Sequence, residues 1–387
     1  MTTVAIEGEL IVRLDCSARR VRQVTVRSTR PMLAARVLAG RTPTDAAAMV
    51  RRLFSICSGA QGAAAAAALA AAGAIGRTQE SGYRDREVML EALQDTFWHL
   101  LIDWPNTMGQ APCATPVAAA RFQIASSMQA TDGTPRPLDP VAMRALGERL
   151  SAVAAQTVFG MPPATWLGID DVEALQAWCA RGETVPAALL DQVLAEQPTL
   201  GCSVTPLLPA PRRESLLGIV VPAMRDDPAF AGAPTWAGAA VETGGLARMC
   251  HEPLVIALQE RFGNAVVTRI TARLTELARW LLELGQDDAA PAPSPRVLSV
   301  PLGNGEGLAA VETARGMLLH RARLVDQHVA DYQIVAPTEW NFHPGGALAT
   351  GLVGLEARED VQLIGATRLA VHALDPCVAF RIEADHA

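Results

Sequence analysis

Asp375-Pro-Cys-Val-Ala-Phe-Arg-Ile-Glu-Ala-Asp-His-Ala387 and Arg52-Leu-Phe-Ser-Ile-Cys-Ser-Gly-Ala-Gln61 are the two stretches that decide the fold. Each stretch contains one cysteine, Cys377 or Cys57, where a thiolate centre for two metal ions would supply two. The stretches lie near opposite ends of the chain, so they can form one site only if both ends pack together in one domain. The pairing predicts a metal site that retains half of its thiolate ligands.

Taken singly, neither cysteine requires a metal. A free cysteine is commonly a small buried hydrophobic residue, and this is the plainer interpretation of both. Cys57 precedes Ser-Gly at a predicted helix start, where backbone N–H groups favour a thiolate, and Cys377 follows Asp-Pro, a rigid turn. Neither cysteine has a partner at CxxC spacing, so a structural tetrahedral zinc site is not expected.

The composition indicates a globular protein. Of the 387 residues, 50% are hydrophobic and 19% are charged. The net charge of −7 argues against a nucleic-acid partner. The seven cysteines are odd in number and irregularly spaced, which favours a reducing cytoplasm over a disulfide framework. The alanine-rich run 62–76 is shorter than the roughly 20 residues that a membrane span needs, so no span is expected.

Hydrophobic periodicity predicts helices over most of the chain and strands near both ends. A β-hairpin is expected within residues 4–27, and short strands are expected after residue 296. Loops or linkers are expected at the proline- and alanine-rich segments 205–214 and 286–296. The first predicted helix begins at Pro43, with Thr44 or Asp45 as its cap. A helix over 84–102 is predicted to end before Pro105. The other predicted helices cover residues 62–76, 140–159, 170–180, 186–195, 254–284 and 360–374.

Seven short motifs occur in a fixed order along the chain. They occupy residues 6–10, 38–46, 52–61, 241–248, 311–316, 332–341 and 375–383. These resemble, in the same order, the IEGxL, LKGRDPRDA, RxCGxCxxxH, GPLAR, EAPRG, YQxVVPTTWN and DPCxxCxxH motifs of the large subunit of nickel–iron hydrogenases. The chain resembles more closely the non-catalytic relatives of that subunit, the HupK/HoxV-type hydrogenase assembly proteins. The resemblance runs through most of the chain and is strongest at its ends.

The departures from these motifs remove half of the ligands that the resemblance implies. Phe54 stands where the hydrogenases have a terminal cysteine, and Phe380 stands where they have a bridging cysteine. Cys57 and Cys377 are the two thiols that are left. Nickel in the family needs four sulfurs, and a phenylalanine ring cannot replace a thiolate, so nickel is not expected. The positions of the family's magnesium-site glutamate and histidine are also changed, to Ala35 and Glu383.

The positions that surround iron in the hydrogenases are retained. The resemblance implies that Arg315, Pro337 and Thr338 surround the cyanide ligands of an Fe(CN)2(CO) unit, with Cys57 and Cys377 as metal ligands. A cyanide nitrogen carries negative charge and accepts hydrogen bonds, which suits a guanidinium and a hydroxyl group. Two thiolates on one iron would place their sulfurs within about 4 Å of each other, given metal–sulfur bonds near ~2.3 Å.

The resemblance implies a predominantly α, α+β fold: a hydrogenase large-subunit-like helical core with an N-terminal β-hairpin and small C-terminal β elements, in a single domain over 1–387. It implies a cytoplasmic accessory protein, not an enzyme, that transiently carries Fe(CN)2(CO). The expected partners are the maturation proteins of the Fe(CN)2(CO) assembly complex, which would supply the fragment, and the hydrogenase large-subunit precursor, which would receive it.

Three other interpretations stay open at the level of sequence. A protein-binding chaperone that mimics the large subunit without carrying metal would keep the two cysteines as relics. A catalytic subunit is disfavoured by the two missing thiolates. The quinone-site subunit of respiratory complex I, a relative that also lost the metal box, is disfavoured because Cys57, Cys377 and Arg315 are retained together.

Overall fold

The computed structural model of the chain describes residues 8–31, 33–54, 56–74, 81–128, 140–285, 295–356 and 359–386. Glu7 of the first motif and residues 286–294 of one predicted loop lie outside the described residues.

Helices make up most of the described chain, and the predicted α+β, predominantly α class is confirmed. The strands are β1 (Glu9–Ser17), β2 (Arg20–Ser28), β3 (Val297–Gly303), β4 (Glu306–Thr313), β5 (Gly316–Val325), β6 (His328–Val335) and β7 (Ala379–His386). The helices are α1 (Ala34–Leu38), α2 (Pro43–Leu53), α3 (Ser58–Ala71), α4 (Ser81–Trp98), α5 (Trp104–Thr107), α6 (Ala114–Met128), α7 (Pro140–Ala154), α8 (Pro163–Trp166), α9 (Val172–Arg181), α10 (Val185–Glu196), α11 (Arg213–Ser215), α12 (Val221–Asp226), α13 (Gly245–Met249), α14 (Pro253–Phe262), α15 (Val266–Leu284), α16 (Pro337–Asn341), α17 (Ala347–Leu352) and α18 (Asp360–Leu374). Single π-helical turns at His99–Asp103, Ala155–Phe159 and Leu216–Val220 follow α4, α7 and α11.

A three-stranded sheet joins the two ends of the described chain. Its strand order is β2-β1-β7, with β1 antiparallel to β2 and parallel to β7. The predicted hairpin is therefore present, and Ala18 and Arg19 form its turn with positive φ angles. Alternate residues of β1 are buried in the main core, which fixes the register that pairs Leu10 with Phe380. The strand after Cys377 is thereby held beside the strand that begins within the first motif.

A second, antiparallel sheet of order β3-β4-β5-β6 supports the alanine-rich helix α3. Small residues on α3 and Gly307 on β4 allow the helix and the strand to approach each other closely. A Cβ atom on Gly307 would lie 2.4 Å from the carbonyl oxygen of Ala68, so the helix and the strand are in backbone contact. Because α3 covers one face and α12, with the π-helical turn before it, covers the other, most of β4 is buried.

The long helix α15 runs through the main core, and most of its residues are buried, polar ones included. Arg269 on this helix forms a buried ion pair with Glu242, and Arg273 forms one with Asp375. These pairs attach α15 to the glycine-rich segment before α13 and to the chain that follows α18.

Three details of the sequence interpretation are corrected. The predicted helix 254–284 is two helices, α14 and α15, separated by a turn at Gly263. Pro105 does not end the chain's fourth helix; it lies in the first turn of α5, where the missing N–H costs nothing. The cap of α2 is Thr42, whose hydroxyl accepts from the N–H of Asp45, because Pro43 occupies the first helical position.

No helix among the described residues combines the length and the apolar character of a membrane span.

Candidate metal centre

Cys57 lies at the start of α3. Phe54 ends α2, and Cys57 is the residue that immediately precedes the first turn of the next helix. The first N–H groups of α3 are capped from outside by Glu91 of α4, whose carboxylate accepts from Gly59 N at 2.6 Å and from Ala60 N at 2.9 Å. This cap fixes the position of the half-buried thiol.

Cys377 is placed by the end of α18. Asp375 ends the helix in the left-handed conformation, with φ of 50°, and Pro376 follows it. The N–H of Cys377 donates to Thr338 Oγ1 at 3.2 Å, and the Thr338 hydroxyl also lies 3.0 Å from Cys377 Sγ. Thr338 belongs to α16, which begins at Pro337. The Asp-Pro-Cys and Pro-Thr motifs are therefore in direct contact.

The two cysteines meet at one pocket. Its lining includes Cys57, Cys377, Arg315 and Pro337, together with the acidic side chains of α4 and apolar residues of β5 and α4. The fifth predicted site residue, Thr338, contacts this pocket through its hydrogen bonds with Cys377. The open space at the centre is about 10 Å³, room for one water molecule. A larger guest would therefore have to displace side chains.

Arg315 lies in the turn between β4 and β5. Gly316 after it has φ of 125°, and a Cβ atom there would lie 2.3 Å from Thr243, so the turn requires glycine. The guanidinium donates to Asp95 Oδ2 at 2.6 Å and lies 3.4 Å from Asp375 Oδ1. These two carboxylates hold the side chain against the wall of the pocket.

The charges around Arg315 favour its ionised form. Burial by itself lowers the pKa of Arg315, but Asp375 and Asp95 outweigh burial and raise it well above its usual value. Burial would raise the pKa of Asp375, but Arg315, His99 and Arg273 together hold it well below its usual range. The pocket therefore has a permanent, oriented cation on one side.

The electrostatics around Cys57 favour the protonated thiol. Burial raises the pKa of Cys57, the neighbouring Cys377 and Glu91 raise it further, and Arg315 opposes them. Burial also raises the pKa of Glu91 to about 7, despite the two N–H groups that stabilise its charge. Because a thiol must lose its proton to bind a metal, loading this site would release protons.

Arg30 is a site residue that the sequence interpretation missed. Its Nη2 donates to Cys377 Sγ at 2.8 Å, and its Nε lies 3.3 Å from Glu339 Oε1. Ser28 donates to the same Glu339 oxygen at 3.2 Å. No motif indicates Arg30, because it follows a strand end without recognisable chemistry nearby in sequence.

A buried hydrogen-bond chain beside the pocket was also missed. Gln61 of α3, which lines the pocket, pairs through Oε1 with His320 Nε2 at 2.9 Å, and His320 Nδ1 pairs with the Tyr332 hydroxyl at 2.7 Å. Burial lowers the pKa of His320 to about 3, so the ring is neutral. His320 thus attaches α3 to the second sheet. Its isolated position in an apolar strand gave no signal of this role.

The four replaced family positions lie in ordinary packing environments. Phe54 packs against the core around α3, and the Phe380 ring contacts the His372 ring edge to face, with centroids 5.3 Å apart. Ala35 lines a groove beside Arg30, and Glu383 forms an exposed ion pair with Arg13. Among the described residues there is no group of three or more His, Cys, Asp or Glu side chains arranged to hold a metal ion. The acidic side chains of α4 that line the pocket are thus not arranged with the two thiols as a set of metal ligands.

Comparisons with known proteins place the chain in a family. The nickel-dependent hydrogenase family matches residues 264–382. The hydrogenase expression/formation protein HupK of Rhizobium leguminosarum bv. viciae is 31% identical over the whole of this chain and 97% of its own. The chain belongs to the HupK/HoxV family of hydrogenase expression/formation proteins. The HoxV protein of Cupriavidus necator is 29% identical, over 92% of this chain and 91% of its own. The HupK/HoxV resemblance seen in the motifs is thereby confirmed.

Solved structures confirm the large-subunit-like fold of the chain. The Ni-Fe-Se hydrogenase of D. vulgaris Hildenborough matches with a TM-score of 0.59 and 16% identity, over 93% of this chain and 94% of its own. An NAD+-reducing [NiFe]-hydrogenase matches with a TM-score of 0.57 and 16% identity, over 92% of each chain. At this identity the likeness is one of fold alone.

Proposed function

We propose that this protein is a non-catalytic assembly protein of hydrogenase maturation that carries an Fe(CN)2(CO) fragment on Cys57 and Cys377. It would receive the fragment from the maturation proteins of the Fe(CN)2(CO) assembly complex and pass it to a hydrogenase large-subunit precursor in the cytoplasm. The observation that carries the proposal is the meeting of both thiols, from opposite ends of the chain, at one pocket with Arg315 and Pro337 in its wall.

The chemistry of the pocket supports this cargo. Low-spin iron is soft enough to favour thiolate anchors, and two are present. Arg315 is a fixed guanidinium held by Asp95 and Asp375, which suits the negative nitrogen of a cyanide ligand. The carbon monoxide ligand is apolar and suits the aliphatic part of the lining, which includes Val88, Leu318 and Pro337.

The missing thiolates support a carrier over a catalyst. Phe54 and Phe380 pack against hydrophobic cores and offer no atom that binds nickel. Of the two bridging positions that hold iron in the hydrogenases, only Cys57 remains a thiol, because Phe380 replaces the other. Iron would therefore be held less firmly than in a hydrogenase, and release to a precursor would be easier. The relatives of this chain are named expression/formation proteins, which is consistent with an accessory role. We expect no hydrogen turnover.

Substitution of single cysteines tests the proposal. The protein is purified without oxygen, and its iron content and its support of hydrogenase maturation are measured in parallel. We expect Cys57→Ala to lose both properties, and Cys377→Ala to be less severe, because in the hydrogenases the position of Cys57 bridges to iron and that of Cys377 binds only nickel. Arg315→Ala should lower the affinity for iron about 10–100-fold. Because it leaves the buried Asp95 and Asp375 without this partner, circular dichroism of the variant must show that the fold survives.

The matched control is Cys202→Ala, which removes an exposed thiol outside the pocket and should behave as wild type. If the variants at Cys57, Cys377 and Arg315 all support maturation as well as wild type does, the carrier role is wrong. The protein-binding chaperone that mimics the large subunit without metal would then be the better account.

A further inference from the structure

Arg30 is held in a fixed position on one side of Cys377. Gly8 has φ of 76°, and a Cβ atom there would lie 2.5 Å from the Cα of Arg30, so the first motif packs directly on the Arg30 backbone. The Arg30 side chain is 11% exposed, and its guanidinium contacts the Cys377 sulfur and the Glu339 carboxylate. An arginine so placed is part of the site and not a solvated surface charge.

Arg30 and Arg315 together surround the thiol pair with positive charge. Burial lowers the pKa of Arg30, but the adjacent Cys377 and Glu339 raise it above its usual value. Arg30 donates to the sulfur of Cys377, and Arg315 lines the same pocket as both cysteines. Two carboxylates, those of Asp95 and Asp375, balance the charge of Arg315. Arg30 has one, that of Glu339, and burial raises the pKa of this carboxyl group. The Arg30 side of Cys377 is therefore the more positive one.

This charge distinguishes two kinds of metal species. A bare divalent cation brings two positive charges next to Arg30 and offers the displaced guanidinium no hydrogen-bond acceptor. In Fe(CN)2(CO), the two cyanides cancel the charge of ferrous iron, and their nitrogens accept hydrogen bonds. Because the Arg30 guanidinium already donates to the Cys377 sulfur at 2.8 Å, a metal that binds this sulfur competes with that contact. Only the cyanide-bearing species provides a new partner for it.

We propose that Arg30 is a specificity-determining residue that makes the thiol pair selective for a charge-neutral, cyanide-bearing iron and excludes bare divalent cations such as nickel or zinc. This inference rests on the proposed function for the identity of the cargo. Exclusion of cations is a property of the metal-free protein and is measured without the cargo.

The test titrates metal-free protein with Cd²⁺ alone and with Ni²⁺ alone, following thiolate-to-metal absorption. Arg30→Met removes the charge and keeps the bulk, and Arg30→Lys keeps the charge. We expect Arg30→Met to bind Cd²⁺ at least about tenfold more tightly than wild type, since a like charge next to the metal has been removed. Arg30→Lys should stay close to wild type, and adding Cys377→Ser to Arg30→Met should abolish the gain.

The matched control is Arg36→Met, which makes the same change of charge at an exposed position on α1. Equal Cd²⁺ affinity in wild type and Arg30→Met, with both folded by circular dichroism, overturns the inference. So does a gain in Arg36→Met as large as that in Arg30→Met.

A second measurement separates this inference from the proposed function. Infrared spectra of the loaded protein should show cyanide bands that shift in Arg30→Met and not in Arg36→Met, because only Arg30 would donate to a cyanide. Wild-type protein without any cyanide bands would refute the proposed cargo, whereas the cadmium titration would still decide whether Arg30 excludes cations. Cyanide bands that are identical in wild type and Arg30→Met would refute the donor role of Arg30.

Discussion

Replacing Asp375 by asparagine should destabilise the fold and disorient Arg315. Asparagine has nearly the same size and also tolerates the left-handed conformation that this position requires, so the substitution removes little except the charge. The Asp375 side chain is 4% exposed, accepts from Arg273 Nη1 at 2.8 Å and lies 3.4 Å from Arg315 Nε. Loss of one partner from a buried ion pair costs about 3–5 kcal/mol.

The loss should depend on pH with a defined sign. Although burial would raise it, the pKa of Asp375 is held well below its usual value by Arg315, His99 and Arg273. A carboxylate with a depressed pKa stabilises the fold above its unfolded-state pKa, and the stabilisation disappears as the pH falls toward the folded-state value. The difference in stability between wild type and Asp375→Asn should be full at neutral pH and shrink as the pH falls below 3.8, the ordinary pKa of an aspartate.

Urea unfolding followed by tryptophan fluorescence, at pH 7 and at several values below 4, measures both effects. Asp385→Asn is the matched control, because its side chain is 62% exposed and should change stability by no more than about 0.5 kcal/mol. A loss below about 1 kcal/mol for Asp375→Asn at pH 7 would refute the account of this cluster. A loss that stays constant through the acid range would refute the linkage to the carboxylate charge.

Three further substitutions test other parts of the site. Thr338→Val removes the hydroxyl that contacts the sulfur and the N–H of Cys377, and should cost about 1 kcal/mol by urea unfolding while weakening iron retention. Burial raises the pKa of Glu91 from 4.5 to about 7, so stability falls as the pH rises between these two values; the gain of Glu91→Gln over wild type should therefore grow from about pH 4.5 to pH 7 in thermal melts and stay constant above that. Gly307→Ala would force a Cβ atom against the backbone of Ala68 and should cost about 1–3 kcal/mol.

Several helices could be predicted from sequence because local signals agreed with the fold. The last helix was predicted at 360–374 and is observed there, since its apolar periodicity stops at Asp375-Pro376. The prediction of one helix over 254–284 was wrong in the middle, where Gly263 separates two helices. Apolar periodicity continues on both sides of this glycine, and it outweighed the glycine as an indication of a helix end. Strand β7 was expected only as a small β element, because its pairing with β1 is a long-range contact that its own sequence does not encode.

The site shows the same division between local and long-range information. The motifs indicated Cys57, Cys377 and Arg315, and the structure places all three at one pocket. Asp95, which holds Arg315, lies in the middle of a helix where its sequence neighbours give no hint of a buried partner. Arg30 is positioned by Gly8, a contact between segments that only the folded backbone brings together.

The infrared spectrum of wild-type protein purified without oxygen tests the central claim most directly. The account predicts two cyanide bands and one carbon monoxide band, with about one iron per chain and no nickel, and the loss of all three bands in Cys57→Ala. Protein that supports hydrogenase maturation but shows neither iron nor these bands at any stage of loading would contradict it.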